Sequence, residues 1–172
     1  MGKIYTIVKF PEPVLLAPAA EVTAFGAAKL RQLIEDMFAT MYAARGVGLA
    51  APQIGISQRI TVIDCALDEQ PPERIVLINP EIIATEGEQT GEEGCLSVPG
   101  FRAEVTRAMR ATVRAQDAEG QWFERSGTEL LARAFQHEID HLNGKLFLSH
   151  LSALKRDVIK RKIRKLQKDG EW

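Results

Sequence analysis

Cysteine and histidine are scarce in this chain of 172 residues, with two of the first and three of the second. Cys65 and Cys95 allow one bridge at most, which excludes a disulfide scaffold and fits a reducing compartment. No apolar run approaches the ~18 residues that a membrane-spanning helix needs. The opening stretch is interrupted by Lys9 and Pro11 before it could serve as a signal peptide. Gly2 with Thr6 matches the short N-myristoylation pattern, one loose enough to arise by coincidence. Net charge is also lacking: 22 Lys+Arg against 23 Asp+Glu gives −1, so no global basic field is present to hold nucleic acid. No internal repeat, low-complexity segment or linker is visible. With 45% hydrophobic and 26% charged residues, the chain has the composition and length of one globular domain, residues 1–172, with a real core. The expected location is the cytoplasm.

The local patterns predict an α+β fold. An irregular opening (Phe10-Pro-Glu-Pro13, Ala17-Pro18) precedes a helix from an N-cap at Thr23 to about Arg45. Its apolar positions Leu30, Leu33, Ile34, Met37, Phe38 and Met41 recur at helical spacing and should face the core. Gly46 stops it. Strands are expected over 59–65, 74–78, 81–86 and 101–116, then at Trp122-Phe123 after the turn Asp117-Ala-Glu-Gly120. Two helices close the chain, 128–143 and 152–168. The expectation is antiparallel or mixed sheets around the first of these closing helices, with helices at both ends of the chain.

That central helix carries the strongest chemical signal, His137-Glu-Ile-Asp-His141. Histidines at i and i+4 project from one helical face, so both imidazoles can reach a single metal ion. Glu138 lies about 100° around the helix from His137, placed to touch a water at the metal without ligating it. Leu130, Arg133, Ala134, His137 and His141 share one face, and Leu131, Phe135, Ile139 and Leu142 the other. Such a helix has one side in the core and one lining a pocket. Two imidazoles need a third protein ligand. The continuation follows the metzincin pattern to Gly144 and then fails, because Phe147 stands where that pattern needs histidine. The third ligand is therefore expected upstream. Cys95, in the polar segment Glu92-Glu-Gly-Cys-Leu-Ser97, is a better candidate than Cys65, which closes an apolar run and reads as an inert buried thiol. His150 reads as a surface or capping residue. In Gly46-Val-Gly-Leu-Ala-Ala-Pro-Gln53, small residues permit close backbone approach, and Gln53 offers an amide that can donate to an oxyanion.

Together, Gly46-Val-Gly-Leu-Ala-Ala-Pro-Gln53, Glu93-Gly-Cys-Leu-Ser97 and Gln136-His-Glu-Ile-Asp-His141 resemble the three signatures of the peptide deformylases, intact and in order. With the helix ending in Met37-Phe-Ala-Thr-Met-Tyr42, the likeness runs from the start of the chain to about residue 150. The resemblance implies a metal-dependent hydrolase that removes the N-formyl group from formyl-methionine on newly made proteins, releasing formate. It implies that Cys95, His137 and His141 hold one divalent metal with water as fourth ligand, Fe(II) first, with Zn, Ni or Co as substitutes. Glu138 would take a proton from that water and pass one to the departing amine. The Gln53 amide and the Leu96 backbone N–H would stabilise the oxyanion. The peptide would lie as an added strand beside Val47, Gly48 and Gly94, its methionine side chain entering a pocket lined by Leu130 and Ala134. Arg102 would order the Glu93 segment or the substrate, or else form an ordinary surface ion pair. Two stretches depart from the family pattern: Gly127-Thr-Glu129, where relatives have a shorter glycine turn, and Gly100-Phe101 in a variable loop.

Residues 151–172 hold eight Lys/Arg against three Asp/Glu, a basic end on an acidic body. In the last helix Arg156, Lys160, Arg161, Arg164 and Lys168 face away from Leu151, Leu154, Val158, Ile159, Ile163 and Leu166. This is either a solvated face on a docked helix or a salt-sensitive contact with the ribosome, as the resemblance suggests. No interface signal argues against a monomer. Competing readings are a zincin-type endopeptidase, which needs the ligand missing after HExxH, and a catalytically silent, metal-stabilised binding module.

Overall fold

The computed structural model describes residues 2–66 and 69–172. Along the chain come helices α1 (Pro13–Leu16) and α2 (Ala28–Ala43), strands β1 (Gly48–Ala50), β2 (Ile60–Ile63), β3 (Ile75–Glu86), β4 (Gln89–Gly94), β5 (Arg102–Arg107), β6 (Arg110–Gln116) and β7 (Trp122–Thr128), then helices α3 (Glu129–Leu142) and α4 (Ala153–Lys168). Single 3₁₀ turns cover Ala51–Ile54 and Phe147–His150. The strands form a five-stranded antiparallel sheet in the order β1-β2-β3-β6-β7 and a separate two-stranded ribbon of β4 and β5. The α+β expectation holds.

Several boundaries differ from the sequence reading, each for a local reason. Helix α2 begins at Ala28 rather than after Thr23 and has no side-chain cap. The expected strands 74–78 and 81–86 are one strand, β3, whose register against β6 shifts between Ile78 and Glu81. Asn79 adopts φ +51° there, and its side chain bonds both backbone groups of Val22. Pro80 has no ladder N–H, so the irregularity sits where pairing is already broken. Conversely, 101–116 is two strands. Ala108 and Met109 break the run, so β5 joins the ribbon and β6 the main sheet. The stretches 48–50 and 89–94, unassigned by pattern because they are glycine-bearing or polar, pair as β1 and β4.

Apolar burial follows the helix periodicities. Leu30, Ile34, Met37, Phe38 and Met41 of α2 pack with Leu49, Ile60 and Val62, Leu33 being only half-buried. Each such side chain contributes about 1.5–3 kcal/mol through removal from water. A second cluster sets Ala132, Phe135 and Ile139 of α3 against Leu77, Ala111, Val113 and Ala115 of the sheet. Helix α3 therefore lies across the sheet with one face in the core, His137 turned toward the ribbon at Glu93 and Glu138 toward β1 at Gly48. A third cluster joins Val98, Val105, Phe147, Ile159 and Ile163, fastening α4 behind the turn that follows β4.

The docking of α4 is narrower than its apolar stripe suggests. Ile159 and Ile163 are buried, but Leu154 is 71% and Val158 37% exposed. One i, i+4 pair of the helix is fully buried, with Arg156, Lys160 and Leu166 half-buried around it. Ser152 caps its start by accepting from the Lys155 N–H at 3.2 Å.

Candidate active site and metal centre

A cavity of about 620 Å³ opens between β1, the β4–β5 ribbon and α3. Val47 and Gly48 line one side, Glu92 to Gly94 another, and Leu130, Ala134, His137 and Glu138 the helix side. Cys95 and Leu96 lie at its depth, and Val98 to Arg102 form a further wall. Val47 and Leu130 are both about two-fifths exposed at the rim (40% and 43%).

Three donor atoms converge here. Cys95 Sγ lies 3.3 Å from His141 Nε2, which lies 3.2 Å from His137 Nε2, and all three fall within 4.8 Å of one another. His137 Nδ1 meets Glu93 Oε1 at 2.6 Å, so Nδ1 donates to the carboxylate and Nε2 faces the other two ligand atoms. Two imidazole nitrogens and a thiol directed at one point are the ligand types that a divalent transition metal takes, and one cation can engage all three at once. This donor set fits a metal ion. Two atoms reinforce the point: Glu138 Oε1 and His141 Nδ1 are buried and find no hydrogen-bond partner among the described residues.

Electrostatics around these groups are steep. Burial pushes the Glu138 carboxyl up to about 7, where it can exchange a proton near neutral pH. His137 is buried too, which disfavours its charge, yet contact with Cys95 and Glu93 lifts it well above the ordinary histidine range. Burial and the neighbouring His137 hold His141 well below that range. Glu93 anchors the arrangement. Its carboxylate accepts from His137, from Arg107 Nη2 at 2.6 Å and Nε at 3.0 Å, and from Arg133 Nη1 at 2.6 Å. Burial alone would raise Glu93, but these donors hold it far below the carboxylate range.

Gly48 explains itself at this site. A Cβ there would stand 2.5 Å from Glu138 Oε2, so only glycine lets β1 run this close to the acid. Gln53 is buried and its amide has a fixed sense: Oε1 accepts from the Ala50 N–H at 2.9 Å, turning Nε2 toward Ser97 Oγ (3.2 Å) and Cys95 Sγ (3.6 Å). Leu96, Gly94, Leu130 and Ala134 all line the cavity. Strand β1 is the edge of its sheet, open on the cavity side. Arg102 lines the cavity and makes an exposed 3.6 Å ion pair with Glu92, not with Glu93. Cys65 is half-buried against the second core cluster, outside the cavity lining, with its thiol pushed up to about 12 by burial.

Sequence reasoning missed the charged network behind the histidines. Glu93 stood in a quoted motif without a role, and Arg133 shared the face of His137 one turn away. Arg107 had no local signal, since its partners lie 14 and 33 residues distant. His150 is exposed, in line with its reading as a surface residue, and its Nε2 lies 2.8 Å from Asp140 Oδ2 and 3.2 Å from Arg107 Nη1 at the edge of that network.

Comparison with known proteins places this geometry. The family profile described as polypeptide deformylase matches residues 4–157. A peptide deformylase from Acidobacterium capsulatum is 62% identical over 169 residues, covering 98% of this chain and 99% of that protein. The crystal structure of a peptide deformylase from Legionella pneumophila superposes with TM-score 0.88 at 52% identity, covering 96% of each chain. That of the Ehrlichia chaffeensis peptide deformylase in complex with actinonin superposes with TM-score 0.87 at 37% identity, covering 95% of this chain and 97% of that one. A profile spanning most of the chain and relatives matched from end to end leave one assignment: this chain belongs to the polypeptide deformylase family.

Proposed function

We propose that the chain's deformylase chemistry is divided among the residues gathered at the cavity floor. The chain is a metal-dependent hydrolase that removes the formyl group from the amino terminus of nascent peptides and releases formate. Cys95, His137 and His141 hold one divalent ion, Fe(II) first, with Zn, Ni or Co able to substitute. A bound ion supplies a Lewis acid that polarises the carbonyl and lets water ionise near neutral pH. The convergence of those three donor atoms beside the unpartnered Glu138 carboxylate carries this reading.

Glu138 takes the proton from the attacking water and later delivers one to the departing amine nitrogen; its raised affinity for protons suits both transfers. Charge that builds on the formyl oxygen is met by Gln53 Nε2, whose direction is set by Ala50, and by the Leu96 backbone N–H. The peptide adds as a strand along the open edge of β1 at Val47 and Gly48, with Gly94 of β4 opposite. The methionine side chain fits between Leu130 and Ala134. Family membership favours this chemistry over the zincin reading, whose third ligand the chain lacks.

The chain acts as one domain over residues 1–172 and as a monomer in the cytoplasm; among the described residues no helix is long and apolar enough to cross a membrane. Exposed Arg161, Arg164 and Lys168, beside exposed Leu154 and Val158, make α4 the surface that meets the ribosome.

Formate release from formyl-Met-Ala-Ser by Fe(II)-loaded protein, prepared without oxygen, tests the function. Release that a chelator abolishes supports it. A metal-loaded protein that releases none is the silent module instead.

A further inference from the structure

We propose that Trp172 is a positioning residue for peptide binding, bracing the Val98–Phe101 wall of the cavity from behind. The inference rests on the deformylase reading of that cavity and adds a determinant of how well the peptide is held.

Three contacts define the Trp172 side chain. Its ring meets the Phe101 ring edge-on, with centroids 6.0 Å apart and planes inclined by 61°. Its indole N–H donates to the Phe10 carbonyl at 2.6 Å. The Lys9 ammonium stands 6.0 Å over its outer face. An indole combines a large apolar body with one donor, and here both are engaged. A second cavity of about 270 Å³ lies beside it, bounded by residues 7–12 and Gln167. With open space on that side, these contacts and the neighbouring third core cluster fix the ring's orientation.

What Trp172 touches leads to the site by two routes. Phe101 is half-buried and lines the active-site cavity directly, next to Pro99 and Gly100. Gly100 adopts φ +86° and the Phe101 N–H donates back to the Val98 carbonyl at 3.4 Å, a turn that sets Phe101 against the third core cluster and the Trp172 ring. The second route is backbone. The Phe10 N–H donates to the Ser97 carbonyl at 2.8 Å and the Val8 N–H to the Gln53 carbonyl at 2.8 Å. The segment 8–10 therefore ties the turn of Cys95–Ser97 to the turn of Gln53, and Trp172 holds that segment by the Phe10 carbonyl.

The groups that move protons, Glu138 and its neighbours on α3, approach from the opposite side of the cavity. Removing the indole frees the Phe10 carbonyl but leaves the Phe10 and Val8 N–H bonds to Ser97 and Gln53 standing, so it acts first on the Phe101 wall that faces the peptide. The expected signature is a change in KM with kcat preserved.

The test compares Trp172→Ala, Trp172→Phe, Phe101→Ala and the double variant Trp172→Ala/Phe101→Ala, using formyl-Met-Ala-Ser and Fe(II)-loaded protein of verified metal content. Trp172→Ala should raise KM roughly three- to tenfold with kcat within about twofold, the worth of one aromatic contact. Trp172→Phe should recover most of that loss, because its ring can still meet Phe101. Phe101→Ala should raise KM comparably, and the double variant should add little, as coupled neighbours do. If Trp172→Ala does not fold, Trp172→Phe carries the test: its small KM rise must vanish in the Phe101→Ala background. Unchanged KM in Trp172→Ala overturns the inference, as do additive effects in the double variant. So does a fall in kcat that tracks metal loss. Wild-type protein that releases no formate overturns the deformylase reading itself, a distinct result from wild-type turnover with indifferent Trp172 variants.

Discussion

At the scale of single residues, the site is made by close approach. Gly48 leaves room for Glu138 only because it has no side chain, the Cβ position being 2.5 Å from Glu138 Oε2. Gly48→Ala should therefore displace the carboxylate and lower kcat at least about tenfold while the protein keeps its metal, since a misplaced base loses most of its ~10²-fold or greater contribution. Formate release alongside metal analysis checks this; full activity would mean that β1 yields where the packing says it cannot. Gln53 has a matching test. Gln53→Glu replaces the donating amide with acceptors only and sets a carboxylate beside Cys95 and Ser97, so kcat should fall about 10²–10³-fold, as for a lost oxyanion donor. Equal turnover in steady-state assays would remove Gln53 from the mechanism. These residues stood out in sequence through the resemblance of Gly46–Gln53 to a deformylase signature; a run of small residues ending in an amide would by itself read as a turn or tight packing. What they touch was not legible, since Gly48 and Glu138 stand 90 positions apart.

At the scale of elements, α3 was the most legible part of the molecule. Its two-sided periodicity placed Phe135 and Ile139 in the core and Ala134 and His137 on the cavity, as found. The ribbon was the least legible. Strand β4 is polar and glycine-bearing, and β5 runs on in sequence toward β6 with only Ala108 and Met109 between them. No periodicity separates two strands whose sheets differ only in three dimensions. Yet the ribbon supplies Glu93 and Arg107, which with Arg133 and Asp140 of α3 form one buried charged network. Glu93→Gln would take from Arg133 its anion and leave Arg107 with Asp140 alone, a loss of up to about 3–5 kcal/mol in unfolding experiments. It should also weaken metal binding about 10–100-fold in chelator competition, because His137 loses the acceptor that orients it. Native-like stability and affinity in this variant would contradict the role given to the network. Acid acts in the same direction. The folded protein holds the Glu93 carboxylate far below its unfolded value, so below ordinary glutamate pH the unfolded chain binds the extra proton. The stabilisation is complete above that range, begins to fall as pH enters it, and is lost as pH falls on through the much lower folded value. Acid unfolding should thus be steeper in wild type than in Glu93→Gln.

At the scale of the whole molecule, three core clusters hold three walls of one cavity: α2 with β1, α3 on the main sheet, and α4 behind the turn after β4. The three long helices were legible in sequence, but α1 falls in an opening read as irregular, and α4 docks by less of its apolar stripe than expected, since Leu154 is 71% and Val158 37% exposed. Periodicity marks an apolar face without saying how much of it the body reaches. Ile163→Ala, at the docked pair, should cost about 2–5 kcal/mol of stability. Reversing Arg161, Arg164 and Lys168 to glutamate should leave hydrolysis of free formyl-peptide unchanged and abolish a ribosome association that otherwise weakens as salt rises. Co-sedimentation with ribosomes across a salt series reads this directly, and salt-independent binding by both proteins would exclude the basic face.

The central claim is that Cys95, His137 and His141 hold a metal while Glu138 moves the protons, so binding and turnover must separate. Metal content and formate release measured together on wild type and Glu138→Gln test it most directly. The account predicts one metal per chain in both proteins, with release lost at least about 10²-fold in the variant. A variant that loses its metal, or one that keeps wild-type turnover, would contradict it.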